Sequence, residues 1–223
     1  MLRIGDKPIL HHIMDEFISW GFNEFIVPVG YKAEIIFGYF LSLNPVYVHT
    51  KGSITEFGLS NCMVSLVNTG MDTLTGGRVK RVEELIDGDF FVTYGDGLSD
   101  IDLLNVLETH RQRDAIVTIS CVRPTSRFGR LSFLGDGRVI EFGEKQEDLR
   151  DWINGGFAVF SKKSLEYIDG DLCDLAFDLY PKLCEMGKLF TVPHNKFWKC
   201  VDTVNDLQEL ENLYIDKGCI WIR

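Results

Sequence analysis

The sequence predicts an α/β fold: a doubly wound, mostly parallel mixed sheet flanked by helices, with a small antiparallel elaboration. Three observations predict it. Apolar runs of strand length alternate with helix-periodic segments through the first half of the chain. The alternation then yields to two short apolar runs around Gly135-Asp136-Gly137, a hairpin signal. The length of 223 residues suits one α/β domain, residues 1–223, with no repeat, low-complexity tract or obvious linker.

Lys7 to Trp20 is predicted helical because Leu10, Ile13, Met14, Phe17 and Ile18 recur at helical spacing. Pro8 suits its first turn and Gly21 its stop. Phe25 to Val29 reads as a strand, with Pro28 awkward in a central position because it donates nothing to a ladder. Ala33 to Leu41 reads as a shorter helix. Asn44 to Asn61 is too weakly patterned to assign. A strand is expected from Met63 to Val67, a helix from Arg78 to Ile86, and a strand from Phe90 to Tyr94. Next come a helix from Ile101 to Arg111 and a strand from Ala115 to Val122. This alternation argues for parallel pairing. After the hairpin, Trp152 to Phe160 reads as a strand with Asn154-Gly155-Gly156 inside it. Leu172 to Met186 reads as helix, Leu189 to Val192 and Phe197 to Val201 as strands, and Val204 to Tyr214 as the last helix.

Bulk properties narrow the function classes. A formal net charge of −10 argues against a nucleic-acid partner, which needs a basic stripe. It leaves small anionic substrates open, since a divalent cation or a local basic cluster can hold phosphate. The six cysteines form no C-x-x-C pair and read as free thiols, which fits a cytoplasmic protein. Met1 to Asp6 is no signal peptide, and no apolar run approaches the roughly 20 residues that cross a bilayer. No membrane partner is expected.

The most informative string is Phe90-Phe91-Val92-Thr93-Tyr94-Gly95-Asp96-Gly97. An apolar strand has no packing use for an aspartate at its tip, and flanking glycines let a ligand and a metal come close to the backbone. Strand carboxyl ends are where open α/β sheets bind ligands. Asp96 is therefore a candidate metal or phosphate-handling residue, with an ordinary turn as the competing reading. Asp202 repeats the pattern after Phe197-Trp198-Lys199-Cys200-Val201, where a helix N-cap at Asp202 or Thr203 competes. The two carboxylates could share one Mg²⁺, which takes one or two carboxylates plus substrate phosphates. Glycines in Thr75-Gly76-Gly77-Arg78-Val79-Lys80-Arg81 precede a helix, whose N–H groups could face an anion or a base. In Glu144-Lys145 the lysine could hold a sugar phosphate and the glutamate sugar hydroxyls, although such pairs are commonly surface charge. Gly155 and Gly156 within a strand imply a bulge or a close backbone approach. No Walker loop, G-x-G-x-x-G or local nucleophile motif is present.

In this order the strings closely resemble the sugar-1-phosphate nucleotidylyltransferase family, nearest its glucose-1-phosphate cytidylyltransferases. The resemblance rests on Gly5-Asp6-Lys7-Pro8-Ile9-Leu10, Thr75 to Arg81, Thr93 to Gly97, Arg127-Phe128-Gly129 and Trp152 to Phe157. It implies a Rossmann-like sheet of the nucleotide-diphospho-sugar transferase type, and the joining of CTP and glucose-1-phosphate into CDP-glucose with release of pyrophosphate. By position, Asp96 and Asp202 would hold Mg²⁺, and with Lys145, on the sugar phosphate, they form the implied catalytic set. Glu144, Asn154 and Gly155 would line the sugar pocket. Gly77 and Arg78 would face base and ribose, and Tyr94 and Gly95 join the substrate-binding set. A homo-oligomer is implied as well.

The resemblance starts at about Ile4. The family's first strand and its triphosphate-gripping loop, G-G-x-G-T-R, have no counterpart in these 223 residues, so reduced or absent turnover is expected. Loss of an internal strand leaves three outcomes: the sheet closes up, another segment fills the gap, or two edges go unpaired. Gln146 replaces a usual proline, and Lys199-Cys200-Val201 a usual Q-P-M. The alternative reading is a non-catalytic protein of this fold that binds a ligand or a partner subunit. A metal-dependent glycosyltransferase fits less well, because Gly97 and Leu98 come after Asp96 where a D-x-D site wants a second acid.

Overall fold

The computed structural model describes residues 1–123, 130–135, 137–143 and 152–223. Two short strands, β1 (Arg3–Ile4) and β2 (Lys7–Pro8), form a small antiparallel ladder and lead into α1 (Ile9–Ser19). Then come β3 (Glu24–Val29), α2 (Ala33–Ser42), β4 (Tyr47–Lys51), β5 (Ile54–Gly58), β6 (Met63–Asn68) and the six-residue α3 (Thr75–Lys80). The expected helix to Ile86 ends early, with a 3₁₀ turn at Glu83–Leu85. The middle of the chain forms β7 (Phe90–Thr93), β8 (Gly97–Ser99), α4 (Leu103–Gln112), β9 (Val117–Val122) and the expected hairpin of β10 (Arg130–Phe133) and β11 (Val139–Gly143). The remainder is β12 (Ile153–Phe160), α5 (Tyr180–Glu185), β13 (Leu189–His194), β14 (Trp198–Cys200) and α6 (Val204–Lys217). A π-helical turn, Leu175–Leu179, precedes α5.

The architecture is mixed α/β, with helices flanking parallel and antiparallel pairings. One four-stranded sheet has the order β3-β6-β5-β4 and another β13-β9-β12-β7. Within them β3–β6 and β13–β9 are parallel and the other pairs antiparallel. The parallel share is smaller than the alternation implied, because order along the chain does not fix neighbours: β12 returns antiparallel between β9 and β7. The unassigned stretch is the β4–β5 hairpin. All five residues of β4 are exposed, so that edge strand carries no burial pattern to read.

Among the described residues β3 and β7 each have one ladder partner, so each leaves an edge unpaired. In β3, Asn23 O accepts from Met63 N and Val29 O from Thr69 N. Those residues and their odd-numbered neighbours bond to β6, and Glu24, Ile26 and Pro28 turn to the other edge. Pro28 therefore places its missing N–H on the edge, where it costs no ladder bond.

The core lies on both faces of β12. Phe157 and Val159 pack with Ile13, Phe17, Leu98 and Trp221. Ala158 and Phe160 pack with Val79, Leu179 and Leu183 on the other face. A third cluster joins Met14 of α1 and Phe40 of α2 to Phe57 and Val64. Among the described residues fully buried Glu16 finds no hydrogen-bond partner, and burial, then the Asp100 charge, pushes its carboxyl up to about 9. It is carried as a neutral acid at pH 7. Among the described residues no helix is long and apolar enough to cross a membrane.

Candidate active site

A short antiparallel ladder brings the two strand-end aspartates together. β8 pairs with β14 with Cys200 opposite Gly97, and Val201 N donates to the Asp96 carbonyl at 2.9 Å. The ladder thus ends with Asp96 on one strand and Asp202 just past the other. Thr203, not Asp202, caps α6: its Oγ1 accepts from Asp206 N at 3.2 Å, and Asp206 Oδ2 accepts from Thr203 N at 2.9 Å. That capping box satisfies the helix start without the Asp202 carboxylate. Asp202 Oδ2 lies 3.5 Å from the Cys200 thiol.

Asp96 keeps an open face, yet its carboxyl sits above the usual carboxylate range. Desolvation by the surrounding atoms is the main cause, and the Asp202 charge adds to it against a backbone hydrogen bond that lowers it. A like-charge pair of which one member is driven toward protonation fits a divalent cation, which would offset the repulsion. Among the described residues no group of three or more His, Cys, Asp or Glu could hold a metal. Two carboxylates completed by phosphate oxygens and water suit Mg²⁺. A Cβ built on Gly95 or Gly97 meets no atom within 4 Å, so neither glycine is required by packing.

The second half of the site comes from the glycines of β12. Asn154 pairs with Cys121 and Ala158 with Ile119, so β12 bulges between them. Asn154 Oδ1 accepts from Gly156 N at 2.9 Å, bending the bulge, and Gly156 takes φ +81°. A Cβ on Gly156 would lie 3.1 Å from the Tyr94 ring, and one on Gly155 would lie 2.8 Å from Ser120 Oγ. Trp198 Nε1 donates to Gly155 O at 2.7 Å, tying the bulge to the strand that leads to Asp202. The Tyr94 phenol is pushed up, first by burial and then by the Asp174 charge. The bulge expected from Asn154-Gly155-Gly156 is therefore present, beside Tyr94 and Asp96.

The third cluster, at α3, is closed by protein. Gly77 N donates to Cys173 O at 3.1 Å. A Cβ on Gly77 would lie 2.5 Å from Asp171 O, and one on Gly76 would lie 2.8 Å from Cys173 O. Thr75 Oγ1 donates to Asp174 Oδ2 at 3.0 Å and accepts from Leu175 N at 2.9 Å. Arg78 Nη1 donates to Thr69 Oγ1 at 2.6 Å, and Arg81 forks onto Asp171 at 2.7 and 2.5 Å.

The structure groups Tyr94, Gly95, Asp96, Asn154, Gly155 and Asp202. It places Gly77 against the 171–173 backbone and the Arg78 guanidinium on the loop at Thr69. Glu144 and Lys145 lie outside the described residues, as do Arg127, Phe128 and Gly129. Sequence reasoning missed the connecting roles of Trp198 and Asp174. Their partners lie tens of residues away, so no local spacing could reveal them. A cavity of about 100 Å³ lined by Asp100, Asn105, His194 and Lys196 shares no residue with the group.

The chain belongs to a family of nucleotidyltransferases: residues 1–217 match the family described as nucleotidyl transferase. More narrowly, it is a member of the sugar-1-phosphate nucleotidylyltransferases of nucleotide-sugar synthesis. It is 35% identical over 227 residues to the glucose-1-phosphate cytidylyltransferase of Salmonella typhimurium, covering 98% of this chain and 88% of that protein. It is likewise 35% identical over 230 residues to a probable glucose-1-phosphate cytidylyltransferase of Bacillus subtilis, covering 99% and 89%. Among solved structures, HddC from Yersinia pseudotuberculosis superposes with a TM-score of 0.72 at 24% identity, covering 96% of this chain and 88% of that one, which supports the fold.

Proposed function

We propose that this chain binds CTP and glucose-1-phosphate and joins them into CDP-glucose, releasing pyrophosphate. The observation that carries the reading is the β8–β14 ladder, which ends in Asp96 and Asp202 side by side. These two would hold Mg²⁺, which when bound supplies charge neutralisation around the α-phosphate and the leaving pyrophosphate. The chain itself aligns the sugar phosphate oxygen with the α-phosphorus, so catalysis is mainly positioning. Lys145 holds the sugar phosphate. Glu144, Asn154 and Gly155 take the sugar hydroxyls, and Tyr94 and Gly95 complete that wall. Gly77 and Arg78 shape the base and ribose side through the α3 contacts. The 35% identity to cytidylyltransferases over nearly the whole chain supports the choice of base and sugar. The six free cysteines are in keeping with a cytoplasmic setting. Exposed Ile35, Phe37 and Leu41 on α2 and Tyr47 and Val48 on β4 support a homo-oligomer.

A coupled assay for pyrophosphate release, supplied with CTP, glucose-1-phosphate and Mg²⁺, tests the reading. Turnover below that of the cytidylyltransferase relatives is expected from the unaltered chain, and a further loss of at least about 100-fold from Asp96→Ala and Asp202→Ala alike. Failure to release pyrophosphate, with no binding of CTP or CDP-glucose by calorimetry, would overturn it.

A further inference from the structure

We propose that Lys199 is a positioning residue: it staples β14 to α6 and so holds the joint that carries Asp202 in place beside Asp96. The inference rests on the function proposed above and says what presets its cation site.

Asp202 stands between β14 and α6 and is exposed. A carboxylate so placed, with a second one beside it, gains by swinging away. The backbone on either side is tied down. Val201 N donates to Asp96 O at 2.9 Å on one side. On the other, Thr203 N and Thr203 Oγ1 both donate to Asp206 Oδ2, at 2.9 and 2.7 Å.

Lys199 joins these two anchors. Its ammonium lies 3.6 Å from Asp206 Oδ1 and donates to Glu209 Oε2. Each acid gives one oxygen to Lys199 and the other to the start of α6. Asp206 Oδ2 serves the cap, and Glu209 Oε1 accepts from Asn205 Nδ2 at 3.0 Å. Asp206 is buried, so its charge calls for a cation close by. In the ladder Lys199 stands opposite Leu98, and Cys200 opposite Gly97. Successive strand residues point to opposite faces, so the lysine turns to α6 while the thiol stays by the aspartate, 3.5 Å from Asp202 Oδ2. Residues 199–206 are thus closed into a loop with Asp202 inside it. A carboxylate fixed before the ion arrives holds it more tightly, because less freedom is lost on binding.

Charge gives the test its sign. Lys199→Met leaves the site one charge more negative, and by Coulomb's law alone that strengthens the hold on a cation. Loss of positioning weakens it. Mn²⁺, which takes the same carboxylate and water oxygens as Mg²⁺, is titrated into the full chain, and the free ion is followed by electron paramagnetic resonance. Lys199→Met should bind the ion about 10-fold more weakly than the unaltered chain, and Lys199→Arg, which keeps the cation, should stay within about threefold. Glu211→Ala removes the acceptor of Gly5 N, a separate tether of α6. It should lose stability in urea and still hold Mn²⁺ within about twofold of the unaltered chain. Equal or tighter binding in Lys199→Met, or an equal weakening in Glu211→Ala, would overturn the positioning role and leave the proposed function standing. No Mn²⁺ binding by the unaltered chain would sink the Asp96–Asp202 site, and the staple with it.

Discussion

Two glycine pairs, Gly76-Gly77 and Gly155-Gly156, look alike in the sequence and are used in different ways. Each marks a close approach. At α3 the approaching group is the chain itself: the Asp171 and Cys173 backbone occupies the space where side chains would stand. At β12 one glycine admits Ser120, while the other adopts a positive φ that lets the Tyr94 ring pass beside the aspartate pair. A glycine pair thus reports that something comes close, and only the fold says whether it is scaffold or site.

Substitution can break that contrast. Gly77→Ala should give the largest effect. Its Cβ would stand within 2.5–2.7 Å of three Asp171 backbone atoms, none of which can rotate away. A loss of about 3 kcal/mol or more, or failure to fold, is expected in urea denaturation. A stable Gly77→Ala would mean that the α3 glycines are not held by packing. Gly156→Ala should cost less, about 1–2 kcal/mol for the positive φ, because the facing Tyr94 ring can shift by a few tenths of an ångström. Its distinguishing mark should be weaker binding of glucose-1-phosphate beyond that stability loss. Unchanged affinity would remove Tyr94 and the bulge from the site.

Much of this was legible in the residues. Core helices and strands with strong patterning stand close to their expected places, as α1, β7 and β12 show. The Asp96 strand tip and the bulge at Asn154-Gly155-Gly156 were readable because apolar runs have no other use for such residues. The exposed hairpin at β4 was not, since an edge strand open on both faces has no period to detect. Nor was the π turn before α5, which shares its apolar spacing with an ordinary helix. Thr203 taking the cap from Asp202 was undecidable locally, because both side chains suit it; the reciprocal bond from Asp206 settles it. Pro28 sat awkwardly in a central strand, but the sequence could not say that β3 and β7 would each end a sheet among the described residues.

The central claim is that Asp96 and Asp202 act as one cation site, and the pH dependence of Mg²⁺ affinity in the CTP complex tests it most directly. Protonated Asp96 cannot ligate, and its carboxyl is raised above the ordinary aspartate value by desolvation and by Asp202. Affinity should therefore be full at neutral pH and fall on acidification, starting at a higher pH than an ordinary aspartate would give. Asp202→Asn should weaken the ion at every pH and move that fall to lower pH, because the repelling charge is gone. Mg²⁺ affinity that ignores the Asp202 substitution, in both strength and pH profile, would contradict the account.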